Sequence, residues 1–433
     1  MADVIIIGAG ITGLSCAWRL KRMGIEPLVL EASQRPGGVI KSERVDGYLI
    51  ERGPNSLLPA SENFPLLDEA GLTGEIIEAD PKSPRYVVIG GKLRKIPFGP
   101  LTPGGLLRAA VEPFVRSKSP KNESVHDFFA RRFGRQAQDR LVAPFVTGIY
   151  AGDTTKLDMA ATFPRFAELE RKHGSLILGM MKSGKPKGSR RGHTCSFAGG
   201  MERLPQRLAA DVDIVYDAAD VRLEPGLQVK WTSGTLPAKA VIVTAPAYRA
   251  AGMIGNSIPG LATLLDKVDY APMVTATTSV PDSAFPKPLD GFGFLIPRSE
   301  GFHLLGTLFS SALFPGRSPD GRQLLTSFVG GAHERDAIHW TDEQVMTVVR
   351  PELQRILGTS EAPLPVAVTR QPRAIPQYRI GHEDWTMALK NELKQWPGLF
   401  MAGNYMEGVA VAACMETGER VAREAAAFIG SRA

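Results

Sequence analysis

Apolar and polar positions alternate with different periods along the chain, and the changes of period mark its elements. Val4–Ile7 is an unbroken β-branched run that stops at Gly8, the signature of a strand buried on both faces. A helical pattern follows Gly13, and a second apolar strand, Leu28–Leu30, ends on Glu31. Tyr48–Ile50 predicts a short strand running into the turn Gly53-Pro54-Asn55. From about 86 to 195 the pattern is mostly helical: Ser124 is the N-cap of a helix with Asp127 three residues on, and Ala137–Pro144 continues a helical period. Glu202–Ala210 predicts a short helix, Ile214–Tyr216 a strand, Leu227–Trp231 part of a hairpin, and Ala240–Thr244 another buried strand. Residues 270–340 are strand-rich, with Pro272–Val280, Gly291–Pro297, Phe302–Phe309 and Leu324–Gly330 bounded by Pro and Gly. Thr341–Leu357 is an amphipathic helix. An apolar strand then enters the turn Gly403-Asn404, and a helix runs from about Val411 to Ile429.

The first of these units carries a dinucleotide clamp. Gly8-x-Gly10-x-x-Gly13 sits between strand and helix, with Ile11 and Thr12 inside the turn. Gly8 permits the turn, Gly10 lets a pyrophosphate approach the backbone, and Gly13 lets helix and strand pack closely. The helix start offers free N–H groups and a partial positive charge to phosphate. Glu31, eighteen positions after Gly13, is placed to accept hydrogen bonds from ribose hydroxyls. Three separated segments share this strand–helix grammar, which predicts a discontinuous Rossmann-like domain of residues 1–85, 197–255 and 398–433. A mainly helical unit at 86–196 and a strand-rich, mixed-sheet substrate unit at 256–397 complete an α/β and α+β architecture.

Composition narrows the class without changing the fold. At 433 residues, 43% hydrophobic and 22% charged, the chain is globular and has ample core. Cys16, Cys195 and Cys414 are far apart and form no CxxC, and the seven histidines show no ligand spacing, so neither disulfide framework nor metal is expected. The N-terminus lacks the basic region of a signal peptide, and no apolar stretch is long enough to span a bilayer. The net charge of +6 is uneven: nine Lys/Arg and one acid, Glu112, lie between Lys82 and Lys121, interleaved with Ile96–Leu101 and Leu106-Leu107. A second basic stretch is Lys182–His193. Solvated loops are one reading, and a basic, apolar face for an anionic membrane or substrate is the other. No aromatic-basic module for nucleic acid is visible.

The residues after the clamp carry a resemblance. Glu31-Ala32 is followed by Arg35 and Gly37-Gly38, and then by the Glu51–Asn55 turn, as in the FAD-binding amine oxidase superfamily. ERGPNSLL (51–58), PRYVVIGGKLRKIP (84–97), the stretch 141–166 containing GIYAGD and FPRF, HGSLILGMMK (173–182), IPQYRIGH (375–382) and GNYMEGVAV (403–411) resemble the protoporphyrinogen and coproporphyrinogen oxidase family over nearly the whole length. The resemblance implies non-covalent FAD, held by the clamp, by Ala32, Arg35 at a phosphate, Gly37, Gly38, Gly53, Pro54 and Asn55, by Val221 near the adenine, and by Gly403, Asn404, Val409, Ala410 and Val411 at the flavin. It implies oxidation of protoporphyrinogen IX by dioxygen, with coproporphyrinogen III as the alternative. Arg85 would pair with a propionate, the Gly148 carbonyl would face the ring centre, and Phe292, Leu295 and Leu308 would form an apolar wall. From the residues alone Gly148 also reads as a helix C-cap, and the wall residues as core. No catalytic acid/base pair is expected, since aromatisation supplies the driving force. A homodimer and a cytoplasmic location, peripheral on the inner face of the inner membrane, complete the expectation. An amine oxidase, a carotenoid desaturase and a non-catalytic FAD-bound scaffold are the other readings on this fold.

Overall fold

The computed structural model describes residues 2–183 and 192–431. The basic residues 184–191 of the stretch Lys182–His193 therefore lie outside the described residues.

Five parallel strands form the heart of the first sheet, in the order Asp213–Val215, Pro27–Leu30, Ala2–Ile7, Gly234–Val243 and Leu399–Met401. Their register is what positions the site. Ile7 pairs with Leu30 and Val243, Leu30 with Val215, and Val243 with Met401, so five carboxyl ends finish level. Gly8, Glu31, Thr244 and Ala402-Gly403 consequently emerge along one edge, where parallel sheets bind ligands. A hairpin, Arg222–Glu224 and Gln228–Trp231, extends this sheet antiparallel beyond Gly234–Val243. On one face the first helix, Ile11–Arg22, packs along the C-terminal helix, Val411–Gly430. A Cβ on Gly418 would lie 2.3 Å from Thr12 O, so glycine sets that close approach. On the other face Ile5, Ile7, Val241 and Val243 pack with Ala247, Ile254, Leu261 and Leu265.

The second sheet runs Leu364–Pro376, Tyr270–Pro281, Arg322–Gly330, Leu304–Phe309, Gly293–Leu295, Arg85–Ile89 and Lys92–Lys95. All pairs are antiparallel except Gly293–Leu295 with Arg85–Ile89. Helix Asp342–Leu357 covers one face with Val345, Val349 and Leu353 against Val274, Phe294 and Phe309. Thr341 and Gln344 form a capping box at its start.

Two expected boundaries move. Residues 86–95, expected to open the helical unit, form with Arg85 a hairpin that closes the edge of the second sheet, because Val87 and Val88 are buried there. Residues 258–265 and helix His382–Leu393, expected with the strand-rich unit, pack through Leu261, Leu265 and Leu389 into the core of the first sheet. The helical part is Pro103–Lys182, with a π-helical segment at Gln138–Val142 leading into helix Ala143–Tyr150. Ser124 caps its helix, its Oγ accepting from Asp127 N. Among the described residues no helix is long and apolar enough to cross a membrane.

Candidate functional site

The level carboxyl ends build the first part of the site. Gly8 has φ +108°, outside the comfortable range of other residues, and its N–H donates to Leu30 O at 2.8 Å. A Cβ on Gly13 would sit 2.0 Å from Gly8 O, so only glycine closes this turn. Gly10 is the opposite case: a Cβ there meets nothing within 4 Å. The space it leaves, in front of the helix start, is what a pyrophosphate needs. Neither the helix Ile11–Arg22 nor Val411–Gly430 has a side-chain cap or an acid in its first turn, so both present bare N–H groups to this edge. The donors suit an anionic dinucleotide, and the residues fit FAD. Glu31 is buried and already oriented, its Oε2 accepting from Ala9 N at 2.8 Å and its Oε1 from Ser33 N at 2.9 Å. Oε1 also lies 2.7 Å from the Ser33 hydroxyl, so Oε2 is the oxygen with a lone pair left for a ribose.

The loop Ala32–Gly38 folds back on the clamp. Gly37 N donates to Ala9 O at 2.8 Å, Gly37 bridges Gly10, and Gly37 and Gly38 both take positive φ. Arg35 differs from its expected role at a phosphate. Its guanidinium donates to Gly38 O at 2.6 Å and Ile40 O at 3.0 Å and pairs with Glu202 at 3.3 Å. The positive-φ glycines turn these carbonyls inward, and Arg35 braces the loop rather than reaching out. Gly53 packs against the same loop, for its Cβ would fall 2.0 Å from Val39 O, which brings Pro54 and Asn55 beside the exposed Val39. Val221 is buried in the core beneath this edge, near Ala218, whose N–H donates to Glu31 O at 2.9 Å. At the far end Gly403 and Asn404 turn away from Leu399–Met401, Val409 packs towards the helical unit, and Ala410 is the N-cap residue before Val411.

The second sheet supplies a wall opposite these turns. Arg85 is exposed at the start of its strand and lies 4.6 Å over the Phe292 ring. No carboxylate pairs with it among the described residues, so its fork is open to an incoming acid. The register aligns Arg85 with Gly293 and Gly293 with Leu308, so Arg85, Phe292, Leu295 and Leu308 share one corner of the sheet. Leu308 lines a small recess with Leu49, Asn55 and Ser56, which joins the wall to the Gly53–Asn55 turn. Phe292, Leu295 and Leu308 are half-buried rather than core. Gly148 lies inside helix Ala143–Tyr150, whose C-cap is Ala151 with φ +50°, so the C-cap alternative fails. The close neighbour of Gly148 is Leu295, whose Cδ2 would be 2.9 Å from a Cβ. Thr147 O receives Ala151 N and Tyr150 O receives Gln377 Nε2. The Gly148 carbonyl, in the last turn of the helix, has no donor among the described residues.

Several residues at this site have contacts that their local sequence does not reveal. Thr244 Oγ1 donates within 3.0 Å to Ile7 O and Gly8 O, holding the clamp from the neighbouring strand. Glu51 is buried and accepts from Ser42 Oγ, Met201 N and Arg317 Nη1, the last at 2.6 Å, while Arg317 also reaches Ser196 Oγ. Burial pushes the Glu51 carboxyl up, opposed by Arg317. Exposed Phe145 and Ile149 flank Gly148 on its helix. A cavity of about 510 Å³ opens along the same helix, lined by Arg140, Pro144, Thr147, Ile296, Arg298 and His333 among others. Burial lowers the His333 pKa against the pull of Asp153.

The chain is similar to known proteins over nearly its whole length. The family model for flavin-containing amine oxidoreductases matches residues 11–426. The chain is 35% identical to the chloroplastic protoporphyrinogen oxidase of Oryza sativa subsp. japonica, over 96% of this chain and 86% of that one. It is 30% identical to the coproporphyrinogen III oxidase of Bacillus subtilis (strain 168), over 99% and 98%. A solved structure from Exiguobacterium sp. 255-15, provisionally named protoporphyrinogen oxidase, superposes with a TM-score of 0.80 at 25% identity, covering 98% of each chain. Reduced UDP-galactopyranose mutase shares the fold at a TM-score of 0.77 and 17% identity, covering 99% of this chain and 96% of that one. The chain belongs to the flavin-containing amine oxidoreductases, within their protoporphyrinogen/coproporphyrinogen oxidase family, with FAD as its cofactor.

Proposed function

We propose that the protein oxidises protoporphyrinogen IX to protoporphyrin IX in porphyrin and haem biosynthesis, removing six electrons in three rounds with dioxygen as acceptor and hydrogen peroxide as by-product. FAD, bound without a covalent link, supplies the two-electron acceptor. The observation that carries the reading is the open Arg85 fork beside the half-buried wall of Phe292, Leu295 and Leu308, with the Gly148 carbonyl opposite. A flat apolar macrocycle with propionates matches that combination: the wall orients the ring and excludes water, Arg85 holds a carboxylate, and the Gly148 carbonyl accepts pyrrole N–H bonds. The protein's part is positioning, and no acid/base pair is required of it. The purified protein should turn over protoporphyrinogen in air. Arg85→Ala should raise KM by about ten- to a hundredfold, equivalent to ~1–3 kcal/mol, with flavin content unchanged. Unchanged kinetics would remove Arg85 from the site.

Coproporphyrinogen III is the second reading, and one observation favours it. The 510 Å³ cavity brings Arg140, Arg298 and His333 to the other flank of the Gly148 helix, a setting for two additional propionates. The ratio of kcat/KM on the two porphyrinogens separates the readings.

We propose also that the protein sits in the cytoplasm, peripheral on anionic membrane. Phe98, Leu107, Phe114 and Met181 are exposed at 70%, 69%, 81% and 77% among Lys92, Arg94, Lys95 and Arg116. Glu112, the one acid of that stretch, is fully buried, accepting from Ser175 Oγ at 2.6 Å and Leu176 N at 3.0 Å. The surface is left with cations and apolar side chains, which bind lipid in a salt-dependent way. Co-sedimentation with anionic vesicles at low salt, lost at high salt and weakened by Phe114→Ser, is the expected result.

A further inference from the structure

Residues 375–382 read IPQYRIGH. They leave the strand Leu364–Pro376 and turn into the helix His382–Leu393, passing between the two halves of the site. Three of their side chains are buried: Gln377 at 4% exposed, Tyr378 at 1% and His382 at 9%. Each ends on a backbone carbonyl of another segment. Gln377 Nε2 donates to Tyr150 O at 2.7 Å, two residues past Gly148. Tyr378 OH donates to Asn404 O at 2.5 Å. His382 Nε2 lies 3.3 Å from Met406 O and, since a carbonyl only accepts, carries the proton there. The Tyr378 ring stacks on His382 at 4.2 Å and meets the Tyr150 ring edge-on at 5.8 Å.

These carbonyls lie in a helix's last turn and in the turn after the strand Leu399–Met401, where helix and sheet ladders offer no donor. Buried carbonyls need a partner, and here all three partners come from one short segment. One side chain grips the substrate-facing helix end and two grip the flavin-side turn. We propose that Gln377, Tyr378 and His382 are positioning residues that set the gap between the Gly148 helix end and the Gly403–Met406 turn. The inference rests on the functional reading above, because that gap is where substrate and flavin meet. Transfer rates depend steeply on such spacing, with ~1 Å of misplacement lowering a rate by roughly a hundredfold.

The test uses the holoenzyme. Tyr378→Phe removes only the hydroxyl and keeps the ring against Tyr150 and His382. Gln377→Leu keeps the volume and removes both amide donors, and Gln377→Met replaces it where the leucine variant does not fold. Each holoenzyme is mixed anaerobically with saturating protoporphyrinogen, and the loss of oxidised-flavin absorbance is followed per bound FAD. FAD affinity is titrated separately on the apoprotein. Each variant should reduce its flavin about tenfold more slowly, and the double variant should fall short of the product of the two effects, as expected for groups acting on one gap. The FAD dissociation constant should rise about threefold to tenfold in Tyr378→Phe, which frees the flavin-side turn, and stay within about twofold in Gln377→Leu. A merely structural role lowers melting temperature and flavin content together and leaves the rate per bound flavin at the wild-type value. That rate pattern in both variants overturns the inference. If the wild type reduces its flavin with neither porphyrinogen, the functional reading fails by itself. The FAD titration then judges the flavin-side contact: a raised constant in Tyr378→Phe supports it, an unchanged one overturns it.

Discussion

Around the first strand the enclosed residues are mainly apolar: Val4, Ile5, Ile6 and Leu14 are fully enclosed, with Ser15 and Glu31 among the few polar exceptions, and the neighbouring Cys16 thiol is pushed up by burial alone. In the helical unit the most enclosed residues include Arg132 at 1% exposed and Glu112 at 0%. Arg132 donates to Glu170 and to the carbonyls of Val115 and Gly174, and lies 3.4 Å from Glu112. Glu112 in turn caps the start of helix Leu176–Lys182 through Leu176 N and Ile177 N. One region is held by a parallel sheet with a continuous core. The other is a set of short helices with a small aromatic cluster around Phe128, Phe129 and Tyr150, pinned by buried charge. The difference follows from what each presents outward. A sheet covered on both faces can bury all its apolar residues. The helical unit instead exposes Phe114 and Met181, so polar anchors hold its short elements together.

The contrast is breakable. Arg132→Met should have the largest effect, about 3–5 kcal/mol in denaturant unfolding, because it strips buried Glu112 of its cation and leaves Glu170 only Arg131, which Glu123 also claims. Ile6→Val in the sheet should cost only ~0.5–1.5 kcal/mol. The reverse order would show that the charges are incidental.

Within the clamp, Gly10→Val should weaken FAD binding by ~1–3 kcal/mol, about ten- to a hundredfold or more, while the apoprotein melts as wild type, since only ligand space is filled. Gly13→Ala should lower both, because its Cβ would strike Gly8 O. Equal melting losses in the two variants would mean that Gly10 also serves the fold.

Gly148→Ala should shift stability by no more than about 0.5 kcal/mol, as the Leu295 side-chain tip can swing aside, while turnover on a porphyrinogen falls. Melting and turnover measured in parallel decide this, and a melting loss in proportion to the activity loss would assign Gly148 to the fold.

The smallest effect is in pH. Burial lowers the His382 pKa, opposed by Met406 O and Asp158. Below the unfolded-state value near 6.5 the unfolded chain binds a proton that the folded chain refuses, so stability present above that pH declines as pH falls further. His382→Gln should flatten this part of the melting-temperature profile between roughly pH 7 and 5. An unchanged slope would assign the acid loss to other groups.

The clamp was legible because its demands are local. Gly8, Gly13 and Glu31 act within one strand–helix–strand unit, whose regular geometry returns Glu31 to Ala9. The strands of the second sheet were legible by alternation, though the hairpin at 85–95 was assigned to the wrong unit, because an edge strand's partner is not written in its own period. The helical period of residues 86–195 and the charge excess of Lys82–Lys121 were legible, but nothing along the chain marked Glu112, the one acid of that stretch, as a buried pivot. Arg35 read as a partner for a cofactor phosphate, and in the structure loop carbonyls hold it.

The sequence by itself determined the dinucleotide edge, the class of cofactor and the alternation that makes a wall, since these depend on backbone freedom and on apolar period over a few residues. Only the tertiary structure decided that Gly148 is matched to Leu295, that Arg85 stands open over Phe292, and that Gln377 and Tyr378 bridge Tyr150 to Asn404. Those contacts join residues separated by up to hundreds of positions. A hydrogen bond or a close approach depends on where the packed sheets bring two backbones, which no local pattern records.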